Sequence, residues 1–405
     1  MKASKRSPRA LLCSVLLFIP LVGHAQPVNW ANWLSGQIGK HPDVQAAREQ
    51  SAAWNADAEA SEQPLYNPEL TVGADRTGSE SNFEAGLSQT IDWSDQQGAL
   101  KEKAKLIRLY AQVSLSEAFL AQTYKSVFAL VEWRSTKHAA EIAESQQQRL
   151  NAMLDQVERR QRAGDLGGAD AELLFLSLSS QLSEVAQARA AVEQAEARLR
   201  ELLPDWRQKL GGIPGDIWLA LESRVDNADL LEHPAVVAAR IKWQVLQSEA
   251  EVVKRKAAAS PTIGLSGGRD SGENMVGLTF SIPLNVRNDY SAEIRAANRR
   301  ALEAEARFKA LYRKQQYDLV GARAAWIRYD KQLRRWKELS RGRVQRSADL
   351  LETQWQSGDL STSEYLQALG QRAESLKTGV ELEKQAQLAL IEILRQSGEL
   401  ITPFR

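Results

Sequence analysis

The sequence predicts a mainly α-helical protein with a small β part, built as two tandem copies of a helix, β-hairpin and long-helix unit. Three observations carry this. The octapeptide His41 to Arg48 recurs as His233 to Arg240 with six of eight positions identical, and later landmarks keep nearly the same offset: Pro68 with Pro261, Gly86-Leu87 with Gly277-Leu278, and Gly164-Asp165-Leu166 with Gly358-Asp359-Leu360. Between Ala99 and Ala163 there is neither Gly nor Pro, and helix formers dominate. Before that stretch, and again before residue 291, apolar and polar residues alternate with period two across a turn rich in Gly, Ser and Asn.

The elements follow in order. Residues 1–25 read as a secretory signal peptide: Lys2, Lys5, Arg6 and Arg9 precede the apolar run Leu11 to Val22, and Gly23-His24-Ala25 offers the cleavage site. That run is too short to cross a bilayer as a helix, which takes about 20 residues. The only cysteine, Cys13, falls inside it, with Leu12 where a lipoprotein signal needs a small residue. Without the signal the chain carries 48 basic and 51 acidic residues, net −3, and its mean hydropathy is −0.40 over the whole sequence. Neither value calls for an anionic partner.

Residues 26–40 form an N-terminal segment and 41–203 the first copy. Pro42 suits the first turn of a helix, where a missing N–H costs nothing. A hairpin over 68–93 alternates Leu70, Val72 and Ala74, then Phe83, Ala85, Leu87, Ile91 and Trp93, with polar neighbours. The long helix covers 96–163, roughly 100 Å at 1.5 Å per residue, and Gly164 ends it in the C′ role. A return helix occupies 170–203 and stops before Pro204. After a linker at 204–232, the second copy (233–398) repeats the plan: a helix from Pro234, a hairpin over 261–284, a long helix over 291–356, and a return helix over 361–397 opened by a Ser361/Glu364 capping box. Residues 399–405 form a tail. Because one return helix cannot span the long helix, the first is expected to stack end to end with the helix that begins at Pro234. The linker, with Trp206 and Trp218, is expected to belt the middle of the helical part.

Two hairpins joined to helices of this length cannot close into a globule, and four alternating strands leave open edges unless other chains share them. Strands of about 9 to 11 residues suit an outer membrane. At this point the doubled order of helix, hairpin, long helix, Gly-Asp-Leu turn and return helix, over residues 30 to 398, resembles the TolC-like outer-membrane factors. Within them, Arg162-Ala163-Gly164-Asp165-Leu166 followed by Ala169-Asp170 is similar to the heavy-metal branch typified by the CzcC channel. The resemblance implies a homotrimer with a 12-stranded β-barrel in outer-membrane lipid, standing on an α-helical barrel across the periplasm. It also implies tips docked to a periplasmic membrane-fusion adaptor and an inner-membrane RND pump, and a passive conduit for heavy-metal cations or small toxic compounds. The unlipidated N-terminus departs from many members.

The candidate residues carry two readings each. Asp165 and Asp359 would form a ring of carboxylates at the pore constriction, or serve only as turn residues after a C′ glycine. Arg162, Gly164, Leu166, Gly358 and Leu360 make up the expected adaptor-docking tip. Tyr66, Trp93 and Tyr290 flank the strands and would form an aromatic girdle at the membrane interface, or pack the junction between sheet and helices. His41 and His233 precede proline in matched positions and read as helix-start residues. No metal-ligand spacing, cofactor motif or catalytic motif appears, so neither an enzyme nor a cofactor is expected. The basic run from Arg313 to Arg346 would suggest nucleic acid in a cytosolic protein; with export it reads as a solvated or salt-bridging face, and no nucleic-acid partner is expected. A periplasmic coiled-coil adaptor would carry one hairpin between β-rich domains, not two. The channel of a type I protein secretion system is the main competing reading.

Overall fold

The computed structural model describes residues 30–77, 80–163, 168–225, 229–270, 272–340 and 342–400. The expected signal at 1–25 lies outside them, as do Gly164, Asp165 and Leu166 and the tail beyond residue 400. The first copy contains α1 (Trp30–Lys40), α2 (Pro42–Glu62), β1 (Glu69–Thr77), β2 (Glu80–Thr90), α3 (Gln96–Ala163) and α4 (Gly168–Leu202). The linker holds α5 (Gly215–Glu222). The second copy contains α6 (Pro234–Lys256), β3 (Thr262–Asp270), β4 (Glu273–Ser281), α7 (Ser291–Ser340), α8 (Arg343–Ser357) and α9 (Thr362–Ser397).

The four strands form one antiparallel sheet in the order β1-β2-β3-β4, so β1 and β4 are its edges within the chain. Below it the helices lie side by side. At the sheet end α2 packs on α3, α3 on α6 and α6 on α7; at the far end α3 packs on α4 and α9, and α9 on α7. No described helix is long and apolar enough to cross a membrane.

α3 is one uninterrupted helix of 68 residues, because nothing in it breaks the ladder. Asp92 caps its start, with carboxylate oxygens 3.0 Å from Gln96 N and 2.7 Å from Gln97 N. Its counterpart differs from the single helix expected over 291–356. Gly342 takes φ 66, in the left-handed region, and the helix divides into α7 and α8 around it. The sequence carried the signal in Gly342 itself, since α3 has no glycine beyond Gly98. The return helix α9 begins with the capping box of Ser361 and Glu364.

The end-to-end stacking also differs from the expected pairing. The start of α6 meets α9, not α4: His233 Nε2 lies 3.0 Å from the Arg395 carbonyl, and Gly398 lies against Pro234. α4 ends under the junction of α1 and α2, where Gln37 and Asp205 exchange hydrogen bonds of 2.8 and 3.3 Å. Each return helix therefore continues into the first helix of its own copy. The linker 204–232 is long enough to carry the chain sideways between the two columns, which a length argument alone could not reveal. Joined this way, 35 residues of α4 with 21 of α2, and 36 of α9 with 23 of α6, flank α3.

Two cores hold the helices. The larger gathers α1, mid-α3, the end of α4, the linker and the end of α9, with Leu34, Leu130, Trp206, Leu221 and Ile391 fully buried. Trp206 stands edge-on to Trp133 with ring centroids 4.7 Å apart, and Trp218 packs against the same cluster, so these linker residues pack onto the larger core. The smaller core closes the far end with Leu150, Met153, Val157, Leu174, Trp355, Tyr365 and Leu369. There Trp355 and Tyr365 stack at 5.1 Å and 8°.

Candidate functional site: sheet faces, interface aromatics and tips

Residues directly opposite in an antiparallel sheet share a face, so the register sorts the strands into two surfaces. One row runs Leu70, Leu87, Leu265, Leu278 across all four strands. The adjacent row on that face holds Val72, Ala85, Gly267 and Val276, and Ile263 pairs Phe280 on the other side of the leucines. The large apolar side chains of this face are exposed: Leu278 by 82% and Val276 by 80%. The opposite face carries Thr71, Gly86, Ser266 and Gly277 in one row, and Ser88, Gly264 and Thr279 in the next. Its glycines permit close strand packing: a Cβ at Gly268 would meet the Phe83 carbonyl oxygen, and one at Gly264 the Thr279 hydroxyl. Water solvates the second face well and the first badly. Leaving so many large apolar side chains in water forfeits roughly 1.5 to 3 kcal/mol each, so the leucine face requires a covering.

The three aromatics expected at the membrane interface sit at the junction of sheet and helices. Trp93 is exposed and its Nε1 donates to the Ala259 carbonyl at 2.7 Å. Tyr66 Oη donates to Ser260 Oγ at 3.4 Å, so the structure brings these two to the same short segment. Tyr290 is not bonded to that segment. It opens α7 with φ 56, its N–H donates to Asn288 Oδ1 at 3.0 Å, and its carbonyl accepts from Ile294 N at 3.0 Å. Asp95 matches it in the first copy, with φ 57 and its carbonyl 3.2 Å from Ala99 N.

At the far end, Arg162 is exposed on the last turn of α3, with Nε donating to the Glu158 carbonyl at 3.1 Å. Gly358 has φ 85 and donates to the Trp355 carbonyl, and Leu360 N donates to the Gln354 carbonyl at 3.1 Å, closing the end of α8. Asp359 is exposed and accepts from Ser357 Oγ at 2.8 Å. Leu360 is half-buried against the small core, so part of its surface serves the chain's own packing.

His41 and His233 occupy equivalent helix starts. Nδ1 of each accepts a backbone N–H two residues on, from Asp43 at 3.1 Å and Ala235 at 3.2 Å. Burial holds the His233 imidazole below its ordinary pKa. With Nδ1 accepting, Nε2 carries the proton and donates to the Arg395 carbonyl. Sequence reasoning placed His233 at the helix start but not at the joint with α9, because the partner lies 162 residues away. Among the described residues no group of three or more His, Cys, Asp or Glu could hold a metal ion.

No family model matches the chain, and no curated protein matches its sequence. Solved structures do match its fold. CusC, solved in a study of folding and transmembrane channel formation, is 16% identical with a TM-score of 0.73 over 91% of this chain and 92% of that one. The CmeC outer membrane channel of Campylobacter jejuni is 13% identical, with a TM-score of 0.73 over 98% and 94%. The MtrE outer membrane channel of Neisseria gonorrhoeae, in its open state, is 16% identical, with a TM-score of 0.71 over 91% and 89%. The doubled helix-and-hairpin fold of this chain is thus one that solved outer-membrane channels have.

Proposed function

We propose that the chain is the outer-membrane channel of a tripartite efflux system. Three copies would close their four-stranded sheets into a 12-stranded barrel, with the leucine face in lipid and the Gly/Ser/Thr face on the lumen. The helices would form a tunnel through the periplasm. The carrying observation is the sheet: two chemically opposite faces and unpaired edges in β1 and β4, standing on a helix of 68 residues. A closed barrel is the one β-structure that satisfies its backbone in lipid. The fold shared with CmeC and MtrE supports the same reading.

In this reading the protein is a passive conduit and not an enzyme. Its tips meet a periplasmic adaptor and an inner-membrane RND pump, and its cargo is heavy-metal cations or small toxic compounds. The similarity of the Arg162 to Asp170 segment to the heavy-metal branch favours metal cations. The test combines outer-membrane fractionation, native mass spectrometry in detergent and identification of the co-purifying pump. A trimer with an RND pump is expected. A stable monomer in the soluble periplasm would sink the architecture, and a co-purifying protein-secretion transporter would replace efflux by secretion.

A further inference from the structure

α6 lies between α3 and α7 and packs on both, and the three helices leave a half-open cavity of about 300 Å³. Its floor on α6 is low because Ala235, Ala238 and Ala239 follow one another there, while Tyr110 of α3 and Phe308 of α7 wall its sides. The internal repeat explains why room remains. By the offset that matches His41 with His233, Leu246 of the second copy corresponds to Trp54 of the first. Trp54 packs on Tyr110 with ring centroids 4.9 Å apart. Leu246, a smaller side chain, lines the cavity instead.

Two opposite charges face this space, each without a counterion. Glu117 makes no hydrogen bond or ion pair among the described residues, and desolvation by the groups around it raises its pKa. Lys242 is set over the Tyr110 ring, its ammonium 5.4 Å from the centroid, and no carboxylate pairs with it among the described residues. The other two charges of the lining, Glu303 and Arg307, pair with each other at 2.5 Å. Glu117 and Lys242 stand too far apart to do the same. α3 and α6 run antiparallel, with Lys103 beside Glu249 and Tyr110 beside Lys242, so Glu117 comes level with Ala235. That is seven residues, or about 10 Å along the axis, from Lys242.

We infer that this cavity binds a zwitterionic aromatic compound, with its ammonium on Glu117, its carboxylate on Lys242 and its rings between Tyr110 and Phe308. The volume is at the lower end of the range that holds drug-sized ligands. An organic cation alone would meet the like charge of Lys242, and an organic anion alone that of Glu117. A rigid apolar body with one charge of each sign at its ends satisfies both side chains and fills the space above the alanines. The site belongs to the helical body and stands whether or not the chain forms a channel.

The probe is biphenyl with an aminomethyl group at one para position and a carboxylate at the other; aminomethylbiphenyl and biphenyl carboxylate carry one charge each. Titrated calorimetrically into the full chain in detergent, against a detergent blank, the zwitterion should bind with a Kd of ~0.1 mM or tighter. The two singly charged compounds should bind about tenfold more weakly. Glu117→Gln should reduce the zwitterion to the affinity of biphenyl carboxylate, and Lys242→Met to that of aminomethylbiphenyl. Leu246→Trp, which places the first copy's residue in the second, should remove binding of all three. Both charged residues are exposed on their helices, so their variants decide the matter if Leu246→Trp does not fold. No saturable binding to folded wild-type protein, equal affinity for the three biphenyls, or zwitterion affinity unchanged in both charge variants would each overturn the inference.

Discussion

His233 Nε2 donates to the carbonyl of Arg395 across the joint between α6 and α9, while the other ring nitrogen caps the first turn of α6. One neutral imidazole thus satisfies an orphan donor at one helix start and an orphan acceptor at another helix end. The Arg395 guanidinium lies over the Tyr124 ring, 4.9 Å from its centroid, which ties the joint to α3.

Replacing His233 with alanine should destabilise the helical body by roughly 1 to 3 kcal/mol, the cost of a lost cap and of a buried carbonyl left unpaired. The pH dependence has a definite sign. Burial lowers the His233 pKa below its ordinary 6.5, so the unfolded chain binds the proton more readily. The stabilisation is complete above the ordinary value and is lost as pH falls through the folded pKa. Thermal unfolding from neutral to mildly acidic pH should show this component in the wild type and not in His233→Ala. Identical slopes in the two proteins would remove His233 from the account.

The leucine row makes a face-specific prediction. If the leucine face meets lipid as proposed, Leu87→Arg and Leu278→Arg should each cost roughly 2 to 4 kcal/mol and reduce assembly in the outer membrane. Ser266→Arg lies on the other face, one residue from Leu265, and should assemble normally while altering conductance. Normal assembly of both leucine variants would mean that the faces are assigned backwards.

The tip aspartates can be separated from the tip leucines. Asp165→Asn with Asp359→Asn should change single-channel conductance and cation preference with little loss of folded oligomer. Unaltered conductance and selectivity would leave Asp359 as the turn residue that its bond to Ser357 already makes it. Leu166→Asp should abolish adaptor binding in a pull-down. Leu360→Asp should do so together with a loss of stability, because Leu360 also packs inside the chain.

Trp355 is buried at the far end and stacked on Tyr365. Trp355→Ala should cost about 3 to 5 kcal/mol locally and open that end to limited proteolysis, leaving the core around Trp206 protected. Equal protection in wild type and variant would show that the small core does not hold the tip.

Much of the architecture is legible in the sequence because it rests on local rules. The period-two alternation marks the four strands, the absence of glycine and proline marks α3, and Ser361 with Glu364 marks the start of α9. What stayed hidden depends on long-range geometry. Nothing local tells that α9 continues into α6, because helices of similar length are interchangeable in a length count. Gly342 was readable as a break, yet a lone glycine is tolerated in many helices. Of the three aromatics expected at the membrane interface, Trp93 and Tyr66 converge on Ala259 and Ser260, whereas Tyr290 opens α7 with a left-handed φ.

The splicing of α4 under α2 and of α9 under α6 ties the reach of the molecule to several segments at once. Seven residues added to α3 alone would carry its end beyond that of α4, stripping Leu174 of its neighbours. Growth by whole heptads would have to occur in step in both descending arms and both ascending columns. Within a column it could fall on either side of the histidine joint. The span between the sheet and the tips is therefore a property that the two copies can change only together.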